Sequence, residues 1–115
     1  MIGDRYHPER WNCTHEVSQW YSIHGYTDIP DPVAPNEWDL RFVRWMRKRF
    51  TPVEKPSTGC LVLMTNKFSG GKHVGVWDNG MVHHCFQPPF GIGQTIRSPM
   101  SLIRAQHINI TFWSP

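Results

Sequence analysis

One cysteine of the chain stands where a nucleophile would be expected. Cys13 follows Asn12, a residue type that caps helices, so it falls in the first turn of a predicted helix. Unpaired backbone N–H groups and the helix dipole favour a thiolate at such a position. Cys60 instead stands within the apolar run 60–65 (CLVLMT), which is typical of a buried strand. Position therefore favours Cys13 over Cys60 as the nucleophile.

Two histidines lie on a predicted β-hairpin. The segment 73–86 (HVGVWDNGMVHHCF) alternates on both sides of an Asn-Gly pair at 79–80, which indicates a two-residue turn. That turn places Gly75 opposite His84. Since side chains alternate along a strand, His73 then lies diagonal to His84 on the same face of the hairpin.

A thiol at a helix start, a histidine on a strand and a second polar group that orients this histidine form the arrangement of a cysteine nucleophile. In this interpretation His73 takes the thiol proton of Cys13. His84 fixes the ring of His73 at its other nitrogen and stabilises the imidazolium. If the hairpin turn is longer than two residues, His83 takes the place of His84 as the third residue.

Metal binding is the rival interpretation of the same side chains. Zn²⁺ binds four Cys or His ligands, and the chain offers five candidates, which are Cys13, His15, His83, His84 and Cys85. The Cys-x-His spacing of the first two is uncommon for zinc, and the adjacent His83 and His84 would point to opposite faces of a strand. The prediction is therefore that the site holds no metal.

The elements that position these residues are helices followed by strands. A first helix carries the apolar stripe Val17, Trp20 and Tyr21 and ends near Gly25, and a second runs over about 37–49. Strands are predicted at 60–65, on both arms of the hairpin 73–86, at 94–97 and at 108–113. This order predicts an α+β fold in which N-terminal helices pack on an antiparallel sheet of about four to six strands.

Composition narrows the class of protein. The 115 residues fit a single domain, 1–115, and a net charge of +3 with 18% charged residues gives no reason to expect nucleic acid as a partner. No apolar run reaches the ~18–20 residues of a membrane span. The polar start MIGDRYHPER predicts no secretory signal, and an odd number of cysteines predicts reduced thiols.

The segment 73–85 (HVGVWDNGMVHHC) resembles the histidine-bearing hairpin of NlpC-type cell-wall cysteine peptidases, which belong to the papain-like superfamily. The run 59–64 (GCLVLM) resembles the strand before that hairpin. The run 11–17 (WNCTHEV) resembles the helix start that carries the nucleophile. The likeness is strongest to the short single-domain versions among bacteriophage tail proteins.

This resemblance implies a papain-like core and a cysteine endopeptidase that cleaves peptidoglycan stem peptides, without a cofactor. It implies Cys13, His73 and His84 as catalytic residues, and Tyr6 and Trp77 as candidates for substrate binding. The usual bond in the family joins γ-D-glutamate to a diamino acid. The implied setting is the virion, as a tail or baseplate component beside other tail proteins, where it degrades the cell wall locally during genome injection.

Three departures from the family pattern support an alternative. Asn12 stands where the family commonly has Asp, His15 where it has Gly, and Cys60 where an Asp is expected after Gly59. The alternative is a structural tail-tip or tail-assembly protein with the same fold and with weak or no catalysis.

Overall fold

A computed structural model describes residues 2–5, 13–30, 40–86, 88 and 93–115. This part of the chain is an α+β domain, as predicted from the order of its elements. The elements are α1 (Cys13–Ile23), α2 (Leu40–Arg49), β1 (Thr51–Val53), β2 (Leu61–Asn66), β3 (Lys72–Asp78), β4 (Met81–Phe86), β5 (Gln94–Ser98), α3 (Met100–Gln106) and β6 (His107–Ser114). No helix in these ranges is long and apolar enough to cross a membrane.

The strands form one six-stranded antiparallel sheet in the order β1-β6-β2-β3-β4-β5. The hairpin β3–β4 has the predicted two-residue turn, because Asp78 pairs with Met81 and Trp77 with Val82. Asn79 and Gly80 both have positive φ, at 50° and 81°. This is the backbone that an Asn-Gly turn supplies at low cost.

Helices cover both sides of the sheet, which we call the α1 face and the α3 face. The α1 face carries the larger apolar cluster, in which α1 and α2 pack against Leu61, Val74 and Val76. The α3 face carries a smaller cluster of Val62, Met64, Val82 and Ile103. Because side chains alternate along a strand, His73 and Trp77 of β3 point to the α3 face, and Gly75 lies between them on that face.

The predicted apolar stripe of α1 is buried against the sheet. The helix ends at Ile23, two residues before Gly25, which has a φ of 92°. At its C-terminal end, Tyr21 donates a hydrogen bond from its hydroxyl to the carbonyl of Gly59 (2.7 Å). Trp20 donates from Nε1 to Asp78 Oδ2 (3.4 Å). These contacts fix the C-terminal end of α1 near the β3–β4 turn, so the N-terminal end, with Cys13, is directed toward the start of β3.

Two elements were not predicted from the sequence, β1 and α3. Strand β1 has three residues, includes Pro52 and lies at the edge of the sheet, where a proline is tolerated. Helix α3 has seven residues, too few for a helical period to stand out. The predicted second helix is present as α2, and its predicted residues 37–39 lie outside the described part of the chain.

Candidate functional site

The two predicted hairpin histidines are in contact. His73 Nε2 lies 2.8 Å from His84 Nδ1, and the two side chains are buried, with 6% and 0% of their surface exposed. Gly75 makes this approach possible, because a Cβ at this position would lie 2.7 Å from Val82 Cγ1 and 3.1 Å from His84 Cβ. The diagonal arrangement predicted from the Asn-Gly turn is therefore present on the α3 face.

Further groups extend this pair into what we call the histidine cluster, which consists of His73, His84, Ser98 and His107. His84 Nε2 lies 2.9 Å from the hydroxyl oxygen of Ser98. The ring of His107 stacks on that of His73 with centroids 5.2 Å apart and planes at 15°. Ser98 did not emerge from the sequence, although the alternation of β5 places it on the same face as Val82, its register partner.

His107, whose place in this cluster the sequence did not reveal, caps the C-terminal end of α3. It is the residue at which α3 ends, and its backbone N–H and its ring Nδ1 both face the carbonyl of Ile103, the ring at 3.2 Å. With 2% of its surface exposed, it is buried rather than solvated. The cause is strand β6, which pairs with β2 and thereby brings His107 to the histidine cluster.

Burial keeps the histidine cluster uncharged. Burial and the neighbouring His84 and His107 hold the pKa of His73 well below its usual value. Burial, with smaller contributions from His107 and His83, lowers the pKa of His84 to about 3. The pKa of His107 is also lowered, chiefly by burial. All three imidazoles are therefore neutral at neutral pH, a state in which one ring nitrogen of each carries a lone pair.

Cys13 lies on the opposite face of the sheet. It is the first residue of α1, is fully buried, and belongs to the same apolar cluster as Val74 and Val76. The described ring contacts of His73 are with His84, His107 and Phe86, and Cys13 is not among them. The structure thus brings His73 and His84 together and places Cys13 at the same end of β3, across the sheet from them.

A buried ion pair lies on the α1 face, close to the thiol in sequence. Glu16 stands one helical turn after Cys13, and its Oε1 lies 2.6 Å from His83 Nε2. Burial alone would raise the pKa of Glu16, but the hydrogen bond and the charge of His83 are among the causes that bring it below the usual value. Sequence reasoning missed this pair, because no local pattern shows which strand residue a helix residue will meet.

The candidate zinc ligands are divided between the two faces. His83 faces α1, as its bond to Glu16 shows, and His84 faces the other way toward Ser98. Cys85 alternates to the side of His83, and burial raises its pKa to about 11. Across the residues that the structure describes, no group of three or more His, Cys, Asp or Glu side chains is placed to hold a metal ion.

The two candidate substrate residues have different outcomes. Trp77 is half-buried on the α3 face and packs edge-on against Phe112, with ring centroids 5.8 Å apart. It stands four residues along β3 from His73, about 13 Å at the rise of a strand. Its role stays a prediction. Tyr6 lies outside the described residues, as does the predicted cap Asn12.

Comparison with known proteins found no relative. No family model matches the chain, and no curated protein or solved structure matches it. A function is therefore inferred from the residues of this chain and from their geometry.

Proposed function

We propose that the protein is a cysteine endopeptidase that cleaves peptidoglycan stem peptides, built on a papain-like core of NlpC type. The observation that carries the proposal is the 2.8 Å hydrogen bond between His73 and His84. It uses Nε2 of His73, so that Nδ1 is the nitrogen left to exchange a proton with a thiol. The position of Cys13 at the start of α1 supplies the second support, because a helix start favours the thiolate.

The proposed reaction proceeds through an acyl-enzyme. Nδ1 of His73 takes the thiol proton of Cys13, and the thiolate forms a bond with the amide carbon while the Cys13 backbone N–H binds the oxyanion. The carbon–nitrogen bond then breaks, and the proton on His73 goes to the leaving amine. A water molecule, deprotonated by His73, attacks the thioester, and the released products are a carboxylate and the regenerated thiol.

The low pKa of His73 determines which form of the pair starts the reaction. Since burial keeps this imidazole neutral, His73 starts the proposed reaction as a neutral base rather than as an imidazolium. Proton transfer also requires the first turn of α1 to bring Cys13 past the start of β3, from the α1 face to Nδ1 of His73.

The proposed setting is a bacteriophage tail or baseplate, where the domain opens the cell wall locally during genome injection. The support is the resemblance of the helix start, of the strand β2 and of the hairpin to short tail-associated peptidases. In this setting, other tail proteins would deliver the domain to its substrate.

A structural role is the second candidate, in which the protein is a tail-tip or tail-assembly component with the same fold and no catalysis. One observation favours it. Cys13 is fully buried, and the sheet separates it from the histidine pair that would activate it.

Thiol-dependent cleavage distinguishes the two candidates. The purified protein is incubated with stem peptides or with sacculi under reducing conditions, and new amine termini are counted. We expect the wild type to release new amine termini. Cys60→Ala is expected to do the same, and it is a matched control because it removes another buried thiol, that of the residue just before β2. Cys13→Ala is expected to release nothing. Equal release by Cys13→Ala, or none by the wild type, rejects the peptidase and leaves the structural role.

Substitution of single histidines identifies the base. In the proposed reaction, His73→Asn lowers kcat by about 10²–10⁴-fold, the usual contribution of a general base. His83→Asn leaves kcat near the wild-type value in protein that circular dichroism shows to be folded. The reverse result would assign the base to His83, the histidine on the same face as Cys13.

A further inference from the structure

The histidine cluster ends in a hydroxyl group. Ser98, the last residue of β5, is fully buried, and its Oγ lies 2.9 Å from Nε2 of His84. The other nitrogen of His84 contacts His73 at 2.8 Å. Three side chains therefore form one continuous chain of hydrogen bonds, His73–His84–Ser98, buried on the α3 face.

The direction of these hydrogen bonds follows from the state in which His73 has gained a proton. Both ring nitrogens of an imidazolium are donors, so Nε2 of His73 then donates to Nδ1 of His84. A neutral His84 that accepts at Nδ1 carries its own proton on Nε2. That proton needs an acceptor, and the hydroxyl oxygen of Ser98 is the group at hydrogen-bond distance from it.

A hydroxyl group suits this end of the chain because it accepts as readily as it donates. If Ser98 donated instead, His84 would carry its proton on Nδ1 and donate to His73. Nδ1 of His73 would then hold a proton and could not take one from a thiol. The orientation of one serine hydroxyl thus decides whether His73 is a base.

We propose that Ser98 is a positioning residue: its hydroxyl accepts a hydrogen bond from His84 and so holds His73 in the tautomer whose Nδ1 accepts a proton. The consequence for catalysis rests on the proposed function. The tautomer itself does not, because it belongs to the folded protein with or without substrate.

Nitrogen-15 NMR of the histidine side chains tests the tautomer directly at neutral pH. We expect Nε2 of His84 to carry the proton in the wild type and Nδ1 to carry it in Ser98→Ala. Ser98→Thr, which keeps the hydroxyl, is expected to retain the wild-type tautomer. Thr95→Val is a matched control, since Thr95 is a buried residue of the same strand in register with Cys85 rather than with the histidine pair.

The proposal is overturned if His84 carries its proton on Nδ1 in the wild type, or if Ser98→Ala leaves the tautomer unchanged. Ser98→Ala removes one oxygen atom and is expected to fold. If it does not, the wild-type spectrum alone decides between the two directions of the chain.

Kinetics separate this inference from the proposed function. In an active peptidase, Ser98→Ala lowers kcat about tenfold at neutral pH with KM unchanged, the size expected for one lost hydrogen bond. The acidic limb of the kcat profile moves to lower pH, because the protonated pair loses its terminal acceptor. A wild type with the expected tautomer and no Cys13-dependent cleavage would reject the peptidase while the role of Ser98 stands.

Discussion

The two faces of the sheet bury titratable groups in opposite ways, and adjacent residues of β4 show the contrast. On the α1 face, His83 pairs with the carboxylate of Glu16 at 2.6 Å. On the α3 face, His84 lies at hydrogen-bond distance from His73 and Ser98, neither of which is a carboxylate, and burial lowers its pKa to about 3. On the α1 face a buried carboxylate is stabilised by a hydrogen bond from His83, and on the α3 face burial favours the neutral form of the imidazoles.

The two faces also differ in the reactive groups that they hold. The α1 face holds a thiol at a helix start with an ion pair one turn away, and the α3 face holds neutral rings that can accept protons. A peptidase needs one group from each kind, a nucleophile and a neutral base. In the described structure the sheet separates the two kinds of group, because Cys13 lies on the α1 face and His73 on the α3 face.

Acid is expected to have the largest effect, and to act first on the α3 face. The unfolded pKa of histidine is about 6.5, and the folded values of His73 and His84 are far lower, so the unfolded state binds more protons below pH 6.5. Stability is therefore complete above pH 6.5 and falls as the pH drops, by about 1.4 kcal/mol per pH unit for each of these two histidines. Urea unfolding from pH 7.5 to 4.5 measures this slope.

Removing one of the two titrating rings tests whether these histidines cause the loss of stability in acid. His84→Gln keeps a hydrogen-bonding side chain and is expected to lose about half of the slope between pH 6.5 and 4.5. A slope that stays at its wild-type value in this variant would show that His84 does not contribute to the acid sensitivity. Glu16 adds a separate loss that begins near the unfolded pKa of about 4.5, because its folded pKa lies below that value and the unfolded state then binds more protons.

The part of the site that local sequence determines was predicted, and the reason is the Asn-Gly turn. A two-residue turn sets the register of a hairpin, and the register sets which side chains share a face. The contact of His73 with His84 and the opposite direction of His83 both follow from it. The stripe of α1 and its end at Gly25 are equally local, since a helical period and a residue with positive φ are visible in sequence.

The rest depends on contacts between distant segments. Nothing in residues 13–23 shows on which side of the sheet α1 will pack, and this choice separates Cys13 from His73. His107 reaches His73 only because β6 pairs with β2, and Glu16 meets His83 only because α1 crosses β3 and β4. Such placements are set by the packing of the whole domain, so residue types and spacing alone did not reveal them.

Breaking the ion pair on the α1 face is expected to have the second largest effect. His83→Ala leaves the carboxylate of Glu16, which is 1% exposed, without this partner, and removal of one member of a buried pair costs about 3–5 kcal/mol. The double variant Glu16→Gln/His83→Ala removes the charge and is expected to be more stable than His83→Ala alone. Urea unfolding at pH 7.5 measures both. If the double variant is no more stable than His83→Ala, the charge of Glu16 is not what destabilises the single variant.

Filling the space beside Gly75 on the α3 face is expected to have the smallest effect on stability and a specific effect on the histidine pair. A Cβ at Gly75 would lie 2.7 Å from Val82 Cγ1 and 3.0 Å from the carbonyl oxygen of His83, so the hairpin must shift to accept Gly75→Ala. Such overpacking costs about 1–3 kcal/mol.

The matched control for this change is Gly71→Ala, whose added Cβ meets only the hydroxyl oxygen of the exposed Ser69, at 3.2 Å, so that a small shift of this side chain makes room for it. We expect Gly75→Ala to lower the free energy of unfolding and to shift the side-chain nitrogen resonances of His73 and His84, while Gly71→Ala leaves both near their wild-type values. Equal changes in stability and in the resonances at the two glycines would mean that the whole hairpin shifts, whichever glycine is replaced. Unchanged histidine resonances in Gly75→Ala would show that the contact between His73 and His84 does not depend on the close approach of β3 and β4 at Gly75.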